Sequence, residues 1–285
     1  MPPTRPQNHQ PLLVGLPGSL QKLLEEHCQR SGESAEHVIH SALAAYLGHE
    51  RHTIFQVSTS GALVKGVYDG CVKVGELRRH GDFGLGTFDS LDGEGIMLDG
   101  EIWQARSDGT VTNPPDDALV PFWVATHFVA DATSKGSKVT GWAGLVREID
   151  ALRSGENISF AIRVRGNFRR VKYRTACKAK PGESLVEATS HQAEFTAEDV
   201  LGTLVGFWTP TYASTINVPG YHLHLLSDDR KRAGHVLDIE ADHVEIALAS
   251  ENHLSLALPE TASFLKADLT GDPVADLARA EGDHD

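Results

Sequence analysis

Residues 219–240, PGYHLHLLSDDRKRAGHVLDIE, decide how this chain is read. Two apolar runs flank a charged, turn-rich segment, SDDRKRA (227–233), which is the pattern of a β-hairpin. Side chains two apart on a strand share a face, so His222 and His224 project together while Tyr221, Leu223 and Leu225 face the other way. An antiparallel return brings His235 opposite His224, and three imidazoles then converge. Three histidines with an open coordination position describe a catalytic zinc site, whereas a closed structural site uses four protein ligands, commonly with cysteine. Spacing does not fix the metal, because imidazole suits several divalent ions. The chain holds 15 histidines, and His191, His243 and His253 remain alternative ligands.

Outward from the hairpin the texture is sheet-rich. TIFQVS, KVGELRRHGD, GIMLDGEIWQAR, TVTN, FWVATHFVA and ISFAIRVRGNFRRVKYRTA are short β-branched or alternating runs. Turn pairs such as Asp92-Gly93, Asp99-Gly100 and Asp108-Gly109 punctuate them. Helices are expected near 142–152, near 197–205 with Thr196 as N-cap, and near 272–281 within a charged C-terminal tail, 266–285. Residues 1–10 read as a disordered tail and PLLVGL (11–16) as a short strand. Pro17-Gly18-Ser19 then turns and caps a first helix, Gly32 breaks it, and a second helix ends at Gly48. Strand, helix, turn, helix resembles a ribbon-helix-helix module, a family that reads DNA through charged or polar strand residues. PLLVGL has none, and residues 1–50 carry Arg5, Lys22 and Arg30 against five glutamates. A helical dimerisation appendage is the favoured reading, and a metabolite-sensing DNA-binding regulator the disfavoured one.

The 285 residues suffice for one large domain or two modest ones, and 40% apolar with 23% charged residues is ordinary for a globular chain. The formal charge of -13 repels nucleic acid and anionic lipid, so any site for an anion must be built locally by an arginine or a metal. No run of about 18 apolar residues spans a membrane. A polar, Pro-rich start and three widely spaced cysteines, Cys28, Cys71 and Cys177, fit reduced thiols in the cytoplasm.

Three long segments, GELRRHGDFGLGTFDSLDGEGIMLDGEIWQARSDG (75–109), FRRVKYRT (168–175) and residues 219–240, resemble the alpha-acetolactate decarboxylase family in the same order, from about residue 53 to 281. The resemblance implies an α+β fold of two sheet-rich lobes, mixed or antiparallel, with few helices. It implies a catalytic domain over 51–265, a C-terminal tail over the active site at 266–285, and a homodimer. It implies Zn2+ held by His222, His224 and His235, a catalytic Glu94 and Arg174, Thr87 near the substrate, and Glu281 closing from the tail, with Glu260 as competitor. The implied reaction is decarboxylation of alpha-acetolactate, a 2-hydroxy-3-keto acid, to (R)-acetoin and CO2 through a metal-stabilised enediolate. By their own setting Glu94 reads as a turn residue, and Arg174 as one of a charged strand face with Arg163, Arg165, Arg169, Arg170 and Lys172. His80 and His127 read as structural, and the four tryptophans as core. A cupin-like metalloenzyme also uses a His-x-His pair, but adds a glutamate soon after it; here Asp228-Asp229 follow, and the first glutamate is Glu240.

Overall fold

The computed structural model describes residues 13–46 and 52–281, and the chain separates into two compact units, Met1–Glu50 and Arg51–Asp285. In the first unit, helix α1 (Gly18–Ser31) ends on Gly32 in the left-handed conformation, φ 79°, and helix α2 (Ala35–Tyr46) follows. Pro17 is the N-cap residue of α1 and makes no side-chain cap bond, so Ser19 does not take that role. Of the strand expected at 11–16, Leu13–Leu16 carry no strand pairing within the single chain, Leu13 and Val14 stand exposed, and residues 11–12 lie outside the described residues. The tail at 1–10 and Gly48 lie outside the described residues.

The second unit is built on strands. In chain order they begin with β1 (Thr53–Val57), β2 (Val72–Lys73), β3 (Phe83–Thr87), β4 (Glu94–Leu98) and β5 (Glu101–Ala105). Next come β6 (Val111–Thr112), β7 (Leu119–Val120), β8 (Phe122–Thr126) and β9 (Ala132–Thr140). The long strands β10 (Ser159–Thr175), β11 (Ala193–Thr209), β12 (Gly220–Ser227) and β13 (Ala233–Glu251) follow, then β14 (His253–Ala257). Its helices are α3 (Ser60–Val64), α4 (Val74–Leu77), α5 (Gly141–Asp150), α6 (Leu185–Thr189), α7 (Ala262–Lys266) and α8 (Val274–Glu281).

A seven-stranded mixed sheet runs β14-β1-β8-β3-β4-β5-β6, with β1 and β14 parallel. The β4–β5 hairpin turns on Asp99-Gly100, both at positive φ (53° and 79°), which is the chemistry of a tight two-residue hairpin. In the second sheet β10 pairs with both β11 and β13, and β12 also pairs with both, so these four strands close on themselves while β9 extends β13. Residues from both sheets, such as Leu85, Ile96, Val205 and Phe207, share one apolar core, to which α8 adds Leu277 and Ala280. The far side of the second sheet packs on α5 through Leu145 and Ile149, and the far side of the first, through Trp123 and Met97, packs on Val74 and Leu77 of α4.

Two expectations fail inside this unit. Residues 197–205 belong to β11, not to a helix, and Thr196 pairs with Lys172 instead of capping. The segment is buried on both faces over 202–207, and a doubly buried strand lacks the alternation that separates it from a helix. In KVGELRRHGD only Lys73 continues a strand, and Val74–Leu77 turn into a helix that buries Val74 and Leu77.

Candidate metal centre and active site

The hairpin forms in the expected register, with His224 opposite His235. His222 and His224 share one face of β12, and the three rings gather with centroids 4.9, 5.0 and 5.5 Å apart. Their ligand atoms all lie within 4.8 Å of one another, and all three residues are buried. His222 Nε2 and His224 Nε2 approach to 3.0 Å. His191, His243 and His253 are not part of the group.

The electrostatics suit a cation. Burial first, then the neighbouring His222 and Arg174 charges, hold His224 down to about 3, against the Gly95 carbonyl and Glu281. The ring is therefore neutral and keeps a lone pair for a ligand. A carbonyl oxygen only accepts, so His224 Nδ1 carries the hydrogen and donates to Gly95 O at 3.0 Å, which leaves Nε2 facing the cluster.

Two carboxylates and one guanidinium surround the rings. Glu94 opens β4 and is no plain turn residue: Oε1 accepts from Ala176 N–H at 3.1 Å, and Oε2 stands 3.5 Å from His224 Nε2. Burial, then the Glu281 charge, push its carboxyl up to about 7, with Arg174 and the Ala176 amide pulling the other way. Arg174, side chain 5% exposed, donates from Nη2 to Ala280 O at 2.5 Å and to Glu281 Oε2 at 3.3 Å. Its neighbours Arg165, Arg169 and Arg170 lie on the exposed side, paired with Asp228, Glu240 and Asp238. Glu281 Oε2 is 3.5 Å from His235 Nδ1 and 4.0 Å from His222 Nε2, while Glu260 is exposed elsewhere. Thr87 pairs with Glu94 across β3–β4, and its hydroxyl donates to Gly93 O at 2.7 Å.

Thr87, Glu94, Arg174, His222, His224 and Glu281 line one cleft, its apolar wall made by side chains such as Leu63, Leu91 and Phe122. That wall, the Ala176 amide and the Gly95 carbonyl carry no sequence signal, because backbone groups and scattered apolar residues are alike everywhere in a chain. His80 stacks flat on Phe55, centroids 3.6 Å apart, as a structural histidine does. The arrangement is equipped to bind a divalent ion, to grip an anion beside it, and to hold or release a proton.

The family model for alpha-acetolactate decarboxylase matches residues 54–271. The chain belongs to the alpha-acetolactate decarboxylase family. The alpha-acetolactate decarboxylase of Methanosarcina mazei is 41% identical over 229 residues, covering 80% of this chain and 80% of that protein. That of Bacillus subtilis strain 168 is 40% identical over 231 residues, covering 80% and 91%. The crystal structure of the Bacillus subtilis alpha-acetolactate decarboxylase superposes with a TM-score of 0.78 at 39% identity, over 81% of this chain and 99% of that one. As a member of the alpha-acetolactate decarboxylase family the chain is an enzyme, a carboxy-lyase. The helices α1 and α2 precede the matched stretch.

Proposed function

We propose that the chain decarboxylates alpha-acetolactate to (R)-acetoin and CO2 with a zinc ion held by His222, His224 and His235. The observation that carries this is the convergence of three buried imidazoles, one of them kept neutral, beside two carboxylates and a buried arginine. Neutral nitrogen donors and carboxylate oxygens are the donor set of catalytic zinc, so the residues fit the ion. When bound, the ion would act as a Lewis acid toward the hydroxyl and carbonyl oxygens of a 2-hydroxy-3-keto acid.

The remaining chemistry belongs to the chain. Arg174 supplies the fixed positive charge that an anion needs in a protein of charge -13, and its planar fork suits a carboxylate. Glu94, held at Oε1 by the Ala176 amide, presents Oε2 toward the ring cluster and serves as the acid that returns a proton after CO2 leaves. A proton delivered from one side makes one hand of product; the likeness to the family supplies the assignment as (R). Glu281, carried on α8 and tied to Arg174, closes the cleft and excludes water. Thr87 contacts the substrate from β3.

The same proposal divides the chain into an appendage (1–50) that joins two copies as a homodimer, a catalytic domain (51–265) and a closing tail (266–285). No described helix is long and apolar enough to cross a membrane, and the three cysteines are free thiols, which supports a reducing cytoplasm. The test measures zinc content and acetoin release on the same samples of the full chain, H222A and H235A. Joint loss of metal and turnover in both variants is expected; full turnover in a metal-depleted variant rejects the reading.

A further inference from the structure

We propose that Gly95 is a positioning residue for the ligand His224, and that Trp123 fixes it in place. The inference rests on the triad being a metal centre and names a part of that centre which side-chain reading overlooks. His224 belongs to β12, in the closed second sheet, yet its Nδ1 donates 3.0 Å to the carbonyl of Gly95 on β4, in the other sheet. That bond sets the tautomer and the ring plane, because with Nδ1–H committed only Nε2 can ligate. One strand thus delivers two adjacent groups to the centre: the Glu94 side chain and the Gly95 carbonyl.

Glycine at 95 is demanded by space and not by backbone angle, since its φ is not in the positive range. A Cβ there would lie 2.7 Å from Trp123 Cη2, closer still to Trp123 Cζ3, and 3.1 Å from Gly86 O. A Cβ on Gly86 would meet Trp123 Cε3 at 2.6 Å, and one on Gly84 would meet Trp123 Nε1 at 3.1 Å. The fully buried indole therefore lies across a floor of glycines on β3 and β4, with Gly86 paired to Gly95 on one side and to Trp123 on the other. Nothing lies between ring and backbone, so β4 cannot retreat from its place under His224. Any side chain at 95 drives β4 and the indole apart and displaces the carbonyl from its present alignment with Nδ1.

The test uses the full chain stripped of metal, as wild type, G95A, W123F and the double variant. Zn2+ affinity is read by competition with a chromophoric chelator, and geometry by the visible band of bound Co2+. Wild type should take one ion per chain; if it takes none, the triad reading itself fails, separately from this one. G95A should bind about 10- to 100-fold more weakly with a shifted Co2+ band. A phenylalanine ring lacks the outer atoms that the new methyl would strike, so G95A/W123F should return to within about threefold of W123F. Unchanged affinity and spectrum in folded G95A, or a double variant no better than G95A, overturns the proposal. Should G95A not fold, nitrogen NMR of histidine-labelled wild type decides: His224 ligating through Nε2 with a protonated Nδ1 upholds it, and ligation through Nδ1 overturns it.

Discussion

Replacing Glu251 with glutamine should flatten the stability of this enzyme against pH. Glu251 closes β13, is 4% exposed, and accepts at Oε1 from the Thr126 hydroxyl at 2.8 Å, while Oε2 is buried with no hydrogen-bond partner among the described residues. Burial, against the Thr126 hydrogen bond and helped by the Asp131 charge, pushes its carboxyl from 4.5 up to about 8. Between those values the folded chain binds one proton that the unfolded chain has released. Stability from this group is therefore full below about 4.5 and is lost as pH rises through about 8. The rise from 4.5 to about 8 is worth roughly 5 kcal/mol at about 1.4 kcal/mol per unit. Glutamine keeps the acceptor for Thr126 and carries no charge. E251Q should match wild type near pH 4.5 and exceed it by about 3–5 kcal/mol near pH 9, raising the melting temperature by roughly 10 °C in a chain of this size. The assay is a series of melts of both proteins across that range at fixed metal concentration, compared as differences so that proton release by the metal ligands cancels. Parallel curves for the two proteins would refute a buried neutral carboxyl at 251.

E94Q should retain its metal and lose turnover by about 10²- to 10⁴-fold, the span that a positioned acid supplies, measured as acetoin release beside zinc content. Deleting residues 1–50 should leave turnover per site unchanged and shift the assembly to a smaller species by light scattering; a folded truncation without activity would contradict the division of labour proposed for the appendage.

The hairpin was legible because alternation and a charged turn fix both face and register, and a slip of one residue would turn the histidines away from the cleft, onto the face that Leu223 and Leu225 bury. Glu94 and Arg174 were legible only through likeness to the family. Nothing local distinguishes Arg174 from Arg170 four residues earlier; what does so is the register of β10 on β13, which sets Arg174 opposite His235 and Arg170 opposite Glu240. The helix expected at 197–205 shows the opposite failure. Val200, Leu204 and Val205 fit a helical stripe as well as a buried strand, and only the pairing of β11 with β10 and β12 decides between them. The Gly95 carbonyl was invisible, since its meaning depends on a residue 129 positions away.

The closure of those strands also explains how a chain of charge -13 makes room for an anion. Arg174 on β10 pairs with His235 on β13, and His235 pairs with His224 on β12, so a guanidinium and two imidazoles stand in one row across three adjacent strands. Directly paired residues share a face, which aims all three at the same cleft. Because β10, β11, β12 and β13 form a closed ring, no free edge lets one strand slide against the next, and the row holds without help from the loops. The positive side of the cleft is thereby set by register, deep in the second sheet. The acidic side comes from elsewhere: Glu94 from β4 of the first sheet and Glu281 from α8. Apposition of the two sheets over their common core is what brings the two sides together, so substitutions that loosen that core should cost activity before they cost the hairpin.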